Sequence, residues 1–152
     1  MSEPAVTVRT AREDDSTAVL RWRNDPVTRA MSRTPDAVGV EAHAVFWRRV
    51  LNDPDLKFLI GEVDGRPFGV SAFERVDGEW EVSIHIDPAR RGAGLATPLV
   101  RAGIRAAFGD AAPLLRAEIK EDNASSRRVF EAAGFRQNDR RDDLLIYCRA
   151  PD

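Results

Sequence analysis

Residues 80–107 read WEVSIHIDPARRGAGLATPLVRAGIRAA, and a change of period inside this stretch decides the fold. From Trp80 to Ile86 the residues alternate as in a strand, with Glu81, Ser83 and His85 on one face and Val82, Ile84 and Ile86 on the other. Pro88 ends that pattern. Beyond it Ala96, Leu99, Val100, Gly103 and Ala107 recur at helical spacing, with Arg101 and Arg105 on the opposite face. Between strand and helix lies Arg91-Gly92-Ala93-Gly94-Leu95-Ala96. Its two glycines permit positive φ, so successive N–H groups can point into one concavity. The following helix adds unpaired N–H groups and the positive end of its dipole, which together suit a phosphate or pyrophosphate. Pro98 falls in the first helical turn, where a missing N–H costs nothing. A glycine-softened turn that binds nothing is the competing reading.

Two other phosphate-binding designs fit poorly. A dinucleotide fingerprint needs a third glycine, where this chain has Thr97, and it usually follows the first strand of a βαβ unit rather than a hairpin meander. A Walker-A loop needs Gly-Lys-Ser/Thr, which does not occur.

Working outward, Lys57 to Val63 and Pro67 to Arg75 alternate as strands joined across Asp64-Gly65, and Asp77-Gly78 turns the chain into Trp80 to Ile86. Val6 to Arg9 reads as a short first strand. Asp14, Asp15 and Ser16 offer N-cap chemistry for a helix through about Arg23, which stops before Asn24-Asp25-Pro26. A second helix is predicted from about Val40 to Leu51, with Val40, Ala44, Trp47 and Leu51 as its apolar stripe. After the central helix come a strand over Leu114 to Ile119, a helix over Asn123 to Ala133 closed by Gly134, and a strand over Leu144 to Cys148. No linker or repeat interrupts this order, so residues 1–152 are expected to form one mixed α/β domain.

Composition narrows the function. A chain of 152 residues with 43% apolar and 32% charged residues can bury a core without staples, which argues against a disordered chain. Its net charge of -2 and pI near 5.8 disfavour a nucleic-acid partner. Cys148 is the single cysteine, so no internal disulfide forms and no zinc cluster or other metal is expected. No apolar run approaches the ~20 residues that span a bilayer. Residues 1–10 lack the pattern of a signal peptide, and a soluble cytoplasmic protein without a membrane partner is expected.

A second constellation follows the loop. Asn123, Ser126 and Phe130 share one helical face and precede Glu131, Gly134 and Phe135. Capping explains Asn123 and Gly134 without a ligand, but not why two polar residues share a stripe with Phe130. Taken together, the two stretches resemble the GNAT superfamily of N-acetyltransferases. Arg91-x-x-Gly94-x-Ala96 is similar to that family's acetyl-CoA pyrophosphate signature, and Asn123-x-x-Ser126-x-x-x-Phe130-Glu131-x-x-Gly134-Phe135 to its downstream motif. The order of elements also matches, so the resemblance covers almost the whole chain.

The resemblance implies a central, mostly antiparallel sheet that splays at the strand before the glycine loop, flanked by about four helices. It implies that the pantetheine arm of acetyl-CoA docks on backbone groups of Ile84, His85 and Ile86. The pyrophosphate would sit on Gly92, Ala93, Gly94, Leu95 and Ala96, with Arg91 nearby. Asn123, Ser126 and Phe130 would face the pantetheine and the thioester. An amine attacking directly then needs positioning, oxyanion stabilisation and a base. Glu81 occupies the strand position where many members carry a carboxylate base, and His85 has the pKa best matched to neutral pH. A solvated carboxylate and a half-buried imidazole are the competing readings. Where many members have a tyrosine proposed to protonate the leaving thiolate, this chain has Phe130. Tyr147, Ser126 or water would replace it, or the thiolate would leave unprotonated.

For the acceptor, Arg21 to Pro26 and His43-x-x-Phe46-Trp47 look like a branch that acetylates nucleotide-linked amino sugars, with Arg23, Asn24, His43 and Trp47 as contacts. Core packing of the aromatics is the competing reading. A related branch acetylates protein N-termini, and a non-catalytic acyl-CoA sensor is a reading of another class. A monomer or a homodimer is equally compatible with the sequence.

Overall fold

Hairpin chemistry and apolar alternation build the sheet from its middle. In the computed structural model, which describes residues 4–32 and 35–152, β2 (Leu56–Val63), β3 (Arg66–Val76) and β4 (Glu79–Ile86) form the expected antiparallel meander. Both turns are Asp-Gly pairs with positive φ at each residue, 53° and 72° at Asp64 and Gly65, 50° and 81° at Asp77 and Gly78. That geometry matches the right-handed twist of the flanking strands. β1 (Thr7–Thr10) adds to β2, while β5 (Leu115–Lys120), β6 (Arg136–Arg141) and β7 (Leu144–Arg149) complete the order β1-β2-β3-β4-β5-β7-β6. All neighbours are antiparallel except β4 and β5.

The sheet separates two cores. On one face α4 (Ala96–Phe108) and α5 (Ala124–Ala132) pack over Phe73, Val82, Leu115 and Tyr147. On the other, α1 (Ser16–Arg23) and α3 (Val40–Asn52) bury Trp22 and Trp47 against Phe58, Ile60, Val70 and Ala72. Glycine lets α4 approach closely: a Cβ on Gly103 would lie 2.2 Å from Ser71 Oγ and 2.6 Å from Ser71 Cβ. Leu99 and Val100 are fully buried as a result, each contributing about 1.5–3 kcal/mol of apolar burial. No described helix is long and apolar enough to cross a membrane.

Four expectations need correction. The buried stripe of α3 is His43, Trp47 and Val50, whereas Val40 and Leu51 are exposed and Ala44 faces solvent. The i, i+4, i+7 phase that won includes a histidine, which the apolar pattern alone skipped. Asp15 does not cap α1 with its side chain. Its carboxylate accepts from the backbone N–H of Arg12 (2.7 Å) and from both terminal nitrogens of Arg9 (2.8 and 2.9 Å). Burial alone would raise the Asp15 pKa, but these bonds outweigh it and hold the carboxyl below its usual range. Asn24-Asp25-Pro26 does not merely stop α1; it starts α2 (Pro26–Met31), with Asp25 accepting from the N–H groups of Val27 and Thr28 at 3.1 Å and Pro26 in the first turn. Finally, β6 was not expected, because its residues Arg136 to Arg141 are all exposed and carry no apolar alternation.

Substituting Gly103→Val should destabilise the fold by roughly 1–3 kcal/mol through overpacking of α4 on β3. Chemical denaturation reads this directly, and an unchanged midpoint with an unchanged slope would refute the close seating of α4.

Candidate active site

The sheet opens where β4 meets β5. The two strands pair only at Trp80 with Leu115 and Glu81 with Arg116, then diverge, although β3 stays paired to β4 as far as Ile86. From Val82 onward the outer edge of β4 has no strand partner, and backbone groups there need another one. A cleft of about 880 Å³ fills the gap. Val82 to Ile86 form one wall, and Ile119 with Asn123 to Ser126 form the other.

The glycine loop closes one end. A 3-10 turn at Pro88–Arg90, entered through the Asp87 carboxylate accepting from Ala89 N–H at 3.0 Å, delivers the chain to Arg91. Gly92 and Gly94 then take φ of 77° and 73°. α4 follows with no side-chain cap on its first turn and no acidic residue there. Arg91, Gly92, Gly94, Leu95, Ala96 and Thr97 line the cleft, while Ala93 is exposed and outside the lining. The loop and an uncapped helix terminus thus present positive potential to the cavity.

Arg91 itself is engaged. Its Nη2 donates to Asp25 Oδ2 at 2.5 Å and to Thr28 Oγ1 at 2.6 Å, which ties α2 to the loop. Lys120 Nζ donates to the Ala30 carbonyl at 3.2 Å, so α2 is held to both sides of the opening. Val27, Thr28 and Met31 of this helix line the cleft, a contribution missed because α2 itself was missed.

On the α1–α3 side of the sheet, β4 presents Glu81, Ser83 and His85 to the cleft. The Glu81 carboxylate lies 3.9 Å from Arg116 Nε, and the Arg116 guanidinium also stands 3.6 Å from Glu79 and from Glu118. Glu74 and Glu118 join Glu81 in the lining. Sequence gave no warning of this, since the register that places Glu74 beside Glu81 is a tertiary fact. Burial, and next the positive charge of Arg23, push the His85 pKa down to about 4. His85 is therefore neutral at pH 7, which overturns the expectation of a pKa near neutrality.

Asn123 and Ser126 face the cleft, where the Asn123 side chain caps α5 by accepting from Ser126 N–H at 3.2 Å. Phe130 also touches the cleft but is buried edge-on against Phe135, with centroids 5.0 Å apart. Four expected contacts lie elsewhere. Tyr147 is fully buried outside the cleft, its hydroxyl donating to Glu131 at 2.8 Å, so it has no path to a thiolate there. His43 and Trp47 sit in the core of the α1–α3 face, with His43 Nε2 3.0 Å from the Ser16 carbonyl and the two rings 5.5 Å apart. Asn24 clips Val38 through two backbone bonds of 2.8 Å and does not line the cleft. Of the four acceptor positions, Arg23 alone reaches the cavity.

The model of the acetyltransferase (GNAT) domain matches residues 5–136. The chain belongs to the GNAT acetyltransferase family. By that membership it is an acetyl-CoA-dependent acetyltransferase. Solved structures share the fold of this GNAT enzyme at low identity. An aminoglycoside acetyltransferase in complex with coenzyme A aligns with a TM-score of 0.77 at 20% identity, over 95% of this chain and 93% of its own. The spermidine N-acetyltransferase of Vibrio cholerae, in complex with CoA and spermine, gives 0.79 at 15% over 94% of each chain. The ribosomal-protein-alanine N-acetyltransferase of Brucella melitensis gives 0.79 at 22%, over 94% of this chain and 98% of its own. No curated protein is a significant sequence match.

Two outcomes follow from this site in the acetyltransferase. Gly94→Asp should weaken acetyl-CoA binding by roughly 100-fold or more, because it sets a carboxylate at an anion-binding terminus, with the far-ultraviolet spectrum retained. Calorimetric titration reads the loss, and wild-type affinity would refute the loop as the phosphate site. Because desolvation and a neighbouring cation both oppose the imidazolium, the His85 ring should stay neutral from pH 8 down to pH 5. A ring resonance titrating near 6.5 in an NMR series would contradict that.

Proposed function

We propose that this GNAT enzyme transfers the acetyl group of acetyl-CoA to a primary amine of a small molecule by direct attack. The observation that supports this best is the union, in one cleft, of the β4–β5 gap with the glycine loop and the uncapped α4 terminus. The diphosphate fits the loop N–H groups of Gly92 to Ala96. The pantetheine arm fits the unpaired edge of β4 at Ile84 to Ile86, adding to the sheet as a strand would. Acetyl-CoA brings an acyl group already activated as a thioester. The chain supplies position, a β4 N–H for the developing oxyanion, and a route for the proton.

Glu81 is the base of this proposal, accepting the amine proton directly or through one water from a position at the acceptor side of the cleft. Neutral His85 is a hydrogen-bond partner for the amine rather than the principal base, since a pKa of about 4 makes it a weak one. With Phe130 lacking a hydroxyl and Tyr147 shut in the core, the thiolate takes its proton from water or from the Ser126 hydroxyl. The narrower acceptor, a nucleotide-linked amino sugar, keeps only Arg23 in its favour, because His43, Trp47 and Asn24 serve the fold. We therefore propose a small amine without a nucleotide requirement.

Acetyl-CoA consumption across a panel of amines tests the reading. Glu81→Gln should lower kcat by roughly 10²-fold while acetyl-CoA affinity stays within about twofold, as loss of a general base predicts. Tight CoA binding with no turnover on any amine would instead assign the domain as an acyl-CoA sensor.

A further inference from the structure

Arg23 is the last residue of α1 and is placed with unusual care. The Asn24–Val38 clip fixes the chain immediately after it, and its guanidinium stacks over the Phe46 ring at 4.9 Å from the centroid. It is half-buried and lines the cleft. Burial pushes its pKa down, and no carboxylate among the described residues pairs with it. Of the other cleft arginines, Arg91 is held by Asp25 and Thr28 and Arg29 by the Pro35 carbonyl at 3.0 Å, while Arg90 belongs to the turn that enters the glycine loop. A guanidinium taken partly out of water without an anion is costly, and a fold that holds it so has left its donor fork for something else.

Its position specifies what that something is. Arg23 lies close enough to lower the His85 pKa, and His85 shares a face of β4 with Ser83 and Glu81. Four strand steps separate Glu81 from His85, about 13 Å between Cα atoms at ~3.3 Å per residue. Both Glu81 and Arg23 line the cleft along this row. One end of the row carries Glu81 with Glu74 and Glu118, which share Arg116 and Arg49 as counter-charges; the other carries Arg23, which pairs with no carboxylate among the described residues. The charge pattern is that of a receptor for a small zwitterion.

We propose that the acceptor is an amine that also carries a carboxylate, and that Arg23 binds this carboxylate while the amine is directed toward the Glu81 end. A single fork with one positive charge matches a carboxylate in both geometry and charge. This inference rests on the transferase reading above and names the substrate class of the same cleft.

The test compares amines with and without the carboxylate on the full chain. Lysine is set against cadaverine, phenylalanine against phenethylamine and methionine against 3-methylthiopropylamine, with glucosamine 6-phosphate and spermidine as further acceptors. The best carboxylated acceptor should exceed its decarboxylated partner by roughly 10–100-fold in kcat/KM, the range for a hydrogen-bonded charge. Arg23→Met keeps the stem packed on Phe46 and removes the fork. It should raise the KM of the carboxylated acceptor and bring the ratio near unity, with acetyl-CoA affinity unchanged. Arg23→Lys should restore part of the ratio. A preference for spermidine, cadaverine or the sugar phosphate overturns the inference and leaves the transferase reading standing, as does a ratio untouched by Arg23→Met. No turnover on any amine, with acetyl-CoA still bound, overturns both.

Discussion

A sheet that stays paired on one side of β4 and comes apart on the other is the constraint from which the rest follows. β4 cannot leave β3, because their register runs unbroken from Val76 and Glu79 to Gly69 and Ile86. β5 pairs along its whole length with β7 on its other edge, and the two run together away from β4. The strands therefore meet only at their first pairs, Trp80 with Leu115 and Glu81 with Arg116, and separate beyond them. Main-chain polar groups at such a separation demand partners, and an extended ligand is the natural one. Arg116 sits at the vertex of the opening, ringed by Glu79, Glu81 and Glu118. The ion pairs that close the junction thus also set the charge of one end of the cleft.

Electrostatics along the cavity are graded rather than uniform. At the loop, two positive-φ glycines and a helix start without an acidic cap leave positive potential. At the junction of β4 and β5 carboxylates predominate. Between them Arg23 and His85 share the α1–α3 face, and burial, with Arg23 adding to it, keeps the imidazole neutral. α2 spans the opening, tied through Arg91 on one side and Lys120 on the other, and so makes part of the wall from a segment only six residues long.

Legibility in the sequence tracked how local each cause was. Asp-Gly turns, strand alternation and the helical stripe of α4 are set by neighbours in the chain, and those elements lie within a residue or two of where the pattern puts them. The glycine loop was readable for the same reason, since positive φ is a property of single residues. β6 was not, because an exposed edge strand of Arg, Gln, Asn and Asp is held by pairing with β7 and not by its own pattern. α3 was found, but its buried face was shifted: Trp47 and Val50 look into the core together with His43, whose Nε2 finds the Ser16 carbonyl. A histidine read as a candidate ligand contact is a buried core residue held through its Nε2, and only the packing of α1 on α3 decides which.

By itself, then, the sequence determined most of the secondary elements, the family and the glycine loop, since each depends on residues close together in the chain. The tertiary structure alone decided which polar residues face the cavity. Arg23 reaches it while Asn24, His43, Trp47 and Tyr147 do not, and Glu74 and Glu118 join Glu81 there. The physical reason is that a side chain's solvent access and charge neighbours are fixed by elements far away in sequence, through strand register and the direction in which each helix buries its stripe.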